Sequence, residues 1–165
     1  MKRALFIGRF QPFHNGHLHV VKNLSGRFDE VIVAVGSSQE KNTSENPFSF
    51  NERKIMISGT LKNFKIKNFK IFPIPDLHDD SKWADYILKN LPKFDVSFSA
   101  NDWTIRCFKK RRIACRKITL IGGISSTKIR KLIADGKSWK LLVPRYVAGH
   151  ILKTNGAERI IKSGN

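Results

Sequence analysis

The chain is short of acidic residues and of cysteine, and it has no long apolar run. Thirteen Asp and Glu stand against 31 Lys and Arg, giving a formal net charge of +18 over 165 residues. So few carboxylates leave no dedicated cage for a metal ion. Cys107 and Cys115 form no CxxC or metal-ligand spacing, which excludes a cysteine-built metal site. Two isolated thiols fit a reduced, cytoplasmic protein in which both are structural. No run of 18 apolar residues occurs, so no membrane-spanning helix is expected. The apolar run before Arg9 is brief and reads as a first strand, not a signal peptide. No linker or break in composition divides the chain, so residues 1–165 read as a single domain.

What is abundant is positive charge. It suits a nucleic-acid binder, and equally an enzyme whose substrates are all polyanions. The cations are spread along the chain, with clusters at residues 62–70 and 109–117, each read as a solvated face. A nucleic-acid module would interleave aromatics on exposed strands. The phenylalanines here alternate into the core instead, so nucleic acid is the weaker reading. Residues 62–66 are copied at 67–71, a tandem too short to define a repeat fold.

Residues 8 to 18, Gly8-Arg9-Phe10-Gln11-Pro12-Phe13-His14-Asn15-Gly16-His17-Leu18, carry the sharpest signal. They lie between a strand pattern, Ala4 to Ile7, and a helix pattern, Asn15 to Leu24. A strand, a glycine-bearing turn and a helix N-terminus make a phosphate site. His14 and His17 can donate hydrogen bonds to phosphate oxygens and gain charge there. Gly16 removes a side chain where a triphosphate approaches the backbone. Arg9 adds a fixed, planar cation. His19 reads as an ordinary helix-surface residue.

Strand and helix patterns alternate along the rest. Strands are expected at 30–35, 70–74, 95–99 and 114–120. Helices are expected at 51–61, capped by Asn51, and at 80–91, 102–110 and 125–134, with a C-terminal helix opening at Pro144. This order predicts an α/β, Rossmann-like, doubly wound parallel sheet of about five strands with flanking helices and a C-terminal helical segment. Ligands of such sheets bind at the carboxyl ends of the strands. His14 and His17, Ser37, Asp76, Asn101 and Asp102, and Ser125 to Arg130 all fall there.

His14-Asn15-Gly16-His17 resembles the HxGH signature of the nucleotidyltransferase superfamily. Ile124-Ser125-Ser126-Thr127-Lys128-Ile129-Arg130 resembles its ISSTxIR signature, in the right order and about a hundred residues downstream. Gly8 to His14, Gly36 to Glu40, Glu45 to Phe48, Asn51 to Arg53, Ile74 to Asp76, Trp83, Gly136 to Pro144 and Asn155 to Ile160 further resemble archaeal-type nicotinamide-nucleotide adenylyltransferases. The resemblance runs from Ala4 to about Ile161. It implies transfer of AMP from ATP to nicotinamide mononucleotide, giving NAD and pyrophosphate, with Mg²⁺ bound alongside ATP. It implies a homo-oligomer, often a hexamer, and no membrane.

The implied roles fall into three groups. His14, His17 and Arg130 are catalytic. Gly8, Arg9, Phe10, Gly16, Ser125, Ser126 and Thr127 bind ATP phosphates. Ser37, Asn46, Phe48, Arg53, Asp76 and Trp83 bind the acceptor, with Trp83 stacked on the nicotinamide ring. Taken alone, Trp83 suits core packing equally well, Asp76 a turn after proline, and Arg130 a helix surface. The sibling reading keeps the reaction and changes the acceptor, for example to flavin mononucleotide. Residues 106–123 are the least diagnostic stretch.

Overall fold

The computed structural model describes residues 1–77 and 79–164. Five strands, β1 (Arg3–Gly8), β2 (Glu30–Val35), β3 (Phe69–Pro73), β4 (Val96–Ser99) and β5 (Cys115–Lys117), pair in parallel in the order β3-β2-β1-β4-β5. The order reverses between β1 and β4. The loops that leave those two strands therefore splay apart and open a crevice at their carboxyl ends.

Period-two alternation sends the strand side chains to two separate cores. Ala4 and Phe6 of β1, with Val31, Val33 and Val35 of β2, face one side. They meet helices α1 (Asn15–Ser25), α2 (Phe50–Asn63), α5 (Ser126–Ala134), α6 (Arg145–Lys153) and α7 (Gly156–Gly164). Leu5, Ile7, Ile32 and Ala34 face the other side. They meet α3 (Asp80–Asn90) and α4 (Asp102–Lys110). Strand β2 is buried along its whole length, as its unbroken apolar run requires of a central parallel strand. Its single carboxylate, Glu30, is answered by cations from both neighbouring strands, Arg3 at 2.9 Å and Lys70 at 2.8 Å.

Some boundaries differ from expectation for local reasons. Helix α2 starts earlier, because Ser49 and not Asn51 caps it. The Ser49 side chain accepts from the Glu52 amide, and Glu52 returns to the Ser49 N–H in a capping box. Strand β5 is only three residues long. The chain leaves it into a single 3₁₀ turn, Ile121–Gly123, with Gly122 and Gly123 both at positive φ. The C-terminal segment is two helices, because Asn155 takes a left-handed conformation and turns the chain between them. No helix among the described residues is long and apolar enough to cross a membrane. Cys107 and Cys115 are both free thiols.

Candidate active site

A cavity of about 380 Å³ occupies the switch-point crevice. Gly8, Arg9 and His17, from the end of β1 to the first turn of α1, line it together with Trp83, Asn101 and Trp103 from the start of α3 and the entry to α4. Ser37 and Asp76 line it as well.

The turn after β1 is held in an unusual shape. Phe10 has φ of 55°, a strained choice for an aromatic residue. The strain is offset by burial, because its ring sits edge-on to Phe6 and to His17, at centroid distances of 5.3 and 4.8 Å. A β-carbon at Gly8 would lie 3.0 Å from that ring, so any side chain there would have to displace it. A β-carbon at Gly16 would approach the His14 ring at 3.1 Å and Leu120 at 3.3 Å. Gly16 thus makes room for His14 itself.

His14 and His17 stack face to face, with ring centroids 3.6 Å apart. The His14 backbone N–H donates to Nδ1 of His17 at 3.2 Å. That bond fixes the tautomer of the neutral ring: its proton sits on Nε2. Burial pulls both imidazoles toward the neutral form. His14 is brought down to about 4, and His17 falls well below the usual value, with His14 as a second cause. Both ring nitrogens of His14 are buried with no protein partner among the described residues. Such orphaned donors and acceptors call for a ligand or solvent.

The distant second motif is fastened onto this turn. Arg130 donates to the Gln11 carbonyl at 2.9 Å, and the Ser126 hydroxyl donates to the Pro12 carbonyl at 3.0 Å. The Ser125 side chain caps α5 by accepting from the Lys128 amide. Thr127 sits exposed in the first turn. The positive end of α5 therefore abuts the histidine turn. Arg9 is near enough to Arg130 to lower its pKa, after the larger effect of burial. Arg9 pairs meanwhile with Glu45 at 2.8 Å, on the exposed rim.

Three residues expected at the acceptor, Arg53, Phe48 and Asn46, are buried and do not line the cavity. Arg53 is fully buried. Its guanidinium donates to the carbonyls of Arg9 at 2.8 Å, Gly36 at 2.7 Å, Ser37 at 2.9 Å and Ser49 at 3.3 Å. Burial lowers its pKa to about 10, so it stays charged at neutral pH. Committed to four carbonyls, it braces the turns after β1 and β2. Phe48 is also fully buried, among the residues that pack against α2 and α7. Asn46 is buried beside it, with its side-chain oxygen unpartnered.

Three contributions were not legible in the sequence. The buried Gln11 amide clamps the Phe48 backbone in both directions, at 2.8 and 3.0 Å, tying the two loops together. Arg159 of α7 pairs with Glu52 and reaches the Pro47 carbonyl. Trp103 lines the cavity. Only the placement of Trp103 just after a strand's carboxyl end could have pointed to it. Asn101 lines the cavity as well, whereas Asp102 turns to Lys117 at 2.7 Å.

Residues 5–132 match the cytidylyltransferase-like family. The chain is 36% identical to nicotinamide-nucleotide adenylyltransferase of Thermococcus kodakarensis, over 97% of this chain and 87% of that one. It is 38% identical to the enzyme of the same name from Thermoplasma acidophilum, over 96% and 90%. Among solved structures it resembles a bifunctional NMN adenylyltransferase/ADP ribose pyrophosphatase from Francisella tularensis, complexed with AMP and a manganese ion. The TM-score is 0.80 at 25% identity, over 99% of this chain and 53% of that one. A solved structure from Vibrio parahaemolyticus, with a TM-score of 0.66 and 18% identity over 92% of this chain and 99% of that one, shares the fold.

Proposed function

We propose that this chain, which belongs to the cytidylyltransferase-like family, transfers the adenylyl group of ATP to nicotinamide mononucleotide, giving NAD and pyrophosphate. A phosphate oxygen of the mononucleotide attacks the α-phosphorus. The bond to the β-phosphate oxygen breaks, and pyrophosphate departs with the electron pair. The nucleophile is already an anion, so no general base is needed. The protein's task is alignment and charge neutralisation.

The residues divide that work. His17, which lines the cavity and carries its proton on Nε2, is the donor to the reacting phosphate. His14, behind it, supplies ring nitrogens that lack a protein partner. Gly8 and Phe10 shape the turn, and Gly16 gives His14 its place. Arg9 and Arg130 neutralise the triphosphate. The first turn of α5, with Ser125, Ser126 and Thr127, adds its dipole for the leaving pyrophosphate. Ser37, Asp76 and Trp83 line the cavity that would take the acceptor, with Asn46 and Phe48 buried outside its lining and Arg53 bracing the adjoining turns.

The observation that carries the reading is the junction of the two motifs. Arg130 and Ser126 bond to the carbonyls of Gln11 and Pro12, so the two motifs meet at the histidine turn. A divalent cation such as Mg²⁺ would accompany ATP. Among the described residues no three His, Cys, Asp or Glu side chains cluster to hold a metal. The donor set therefore fits a cation ligated by phosphate oxygens and water, as magnesium prefers. Bound there, it would neutralise charge on the leaving group. The reading takes residues 1–165 as one catalytic domain, working in the cytoplasm as a homo-oligomer.

A coupled assay tests it: purified protein, ATP, Mg²⁺ and nicotinamide mononucleotide, with NAD and pyrophosphate both quantified. One pyrophosphate per NAD supports the reaction. Folded protein that binds ATP but makes no NAD refutes the acceptor and turns attention to flavin mononucleotide.

A further inference from the structure

We infer that the cationic face at the amino-terminal end of the sheet binds single-stranded nucleic acid, with Phe64 as its stacking platform. This surface is separate from the crevice, and its role does not depend on the reaction proposed above. The tandem copy at residues 62–66 and 67–71 falls into two different environments. The second copy enters β3, where Phe69 and Ile71 pack against the core. The first closes α2, and its Phe64 stays 49% exposed. Phe64 therefore departs from the phenylalanines that alternate into the core.

Cations surround it. Lys62 and Lys65 flank Phe64 along the chain, Lys67 follows, and all three are exposed. The Lys22 ammonium of α1 lies 5.2 Å from the centroid of the Phe64 ring. The Asn68 side-chain amide donates to the carbonyls of Ser25 and Phe28, both at 3.0 Å. Those bonds fasten the segment to the turn that carries exposed Arg27. None of Lys22, Arg27, Lys62, Lys65 and Lys67 pairs with a carboxylate among the described residues. In the other basic cluster Lys110, Arg111 and Lys117 are each held by an aspartate. Lys22 and Lys62 answer the negative ends of α1 and α2, in whose last turns they sit. Arg27, Lys65 and Lys67 have no such duty.

Unpaired cations around an exposed aromatic suit a chain of phosphates whose bases are unstacked. A bilayer fits less well, because one phenylalanine offers little apolar area to insert. An acidic peptide would have no use for the ring. The face lies where α1 runs into β2 and α2 into β3, at the end of the sheet opposite the crevice. A strand bound there leaves the nucleotide site open.

Fluorescence anisotropy of a labelled single strand of about 15 nucleotides tests this on the full chain, over a range of salt concentrations. Wild type should bind with a Kd on the order of micromolar at low salt. F64L, which keeps an apolar side chain and removes the ring, should weaken binding about five-fold, and F64W should restore it. K62Q/K65Q/K67Q should lower the slope of log Kd against log salt by about 2. K109Q/R112Q/R116Q removes the same charge from the other cluster and should change that slope far less. Thermal melting checks that each variant is folded, and if F64L is not, the two triple variants decide. Equal losses from the two triple variants would mean attraction to net charge alone and would overturn the inference. Full binding by F64L, or displacement of the strand by ATP at matched ionic strength, overturns it as well. So does inorganic polyphosphate that competes as well as an unlabelled strand of equal charge, or tighter binding to phosphatidylserine vesicles than to the strand.

Discussion

Acid should loosen this protein through the paired histidines before most carboxylates protonate. His14 titrates at about 4 in the folded chain and near 6.5 when unfolded. Between those values the unfolded chain binds the extra proton, so stability falls as pH falls. The loss begins as pH drops through about 6.5 and is complete once pH lies below about 4. Working the linkage through, the step from pH 7 to pH 5 costs about 2 kcal/mol, and the step to pH 4 about 3 kcal/mol. His17 acts in the same direction, and part of its depression comes from His14. The measurement is urea unfolding of wild type and H14Q at pH 7, 5 and 4. Acidic side chains elsewhere titrate in both proteins and cancel in the difference. The H14Q variant, which cannot gain the proton, should lose about 2 to 3 kcal/mol less than wild type over that range. Saturating ATP should oppose the loss, because the triphosphate favours charged imidazoles. Parallel stability curves for the two proteins would refute the assignment of His14 as a buried, neutral ring.

Other perturbations follow from the same geometry. His17→Ala should lower kcat by about 10² to 10³, the cost of removing one donor to the reacting phosphate, with little change in the acceptor KM. Arg53→Met should destabilise by about 3–6 kcal/mol, read from thermal or urea unfolding. It strands the carbonyls of Arg9 and Gly36 without their side-chain donor, while Ser37 keeps the Glu40 N–H. Glu45→Gln should lower the KM for ATP, by up to about five-fold, because it releases Arg9 from an exposed competitor. The last effect should shrink as salt is raised, and a higher KM for ATP would contradict it.

The strands and the histidine turn were readable because each depends on local pattern. Val31 to Val35 is an unbroken apolar run that suits a buried strand, and Gly16 between two histidines marks the passage from strand to helix. Arg53 shows where such reading stops. An arginine in the first turn of a helix looks solvent-facing, and no periodicity signals that four carbonyls wait beneath it. Gln11 is similar, since its amide matters only once the loop at Phe48 lies opposite. Ser49 and Asn51 both qualify as the cap of α2, and Glu52 reaching back to Ser49 decides between them. The two C-terminal helices depend on a single left-handed Asn155, which sequence pattern does not mark. Trp103 carries no local mark, because its indole is anchored by Asp80, 23 positions away.

The fastening of the second motif onto the first also sets when the site can exist during synthesis. The bonds from Ser126 to Pro12 and from Arg130 to Gln11 span 114 and 119 positions. The pair of Arg159 with Glu52 spans 107. A nascent chain exposes its histidine turn early but cannot lock it until α5 has left the ribosome. Closures this long slow folding relative to local contacts. The same delay means that an N-terminal fragment carries both histidines without the frame that aims them. The histidine turn therefore waits for its frame on a segment more than a hundred residues downstream.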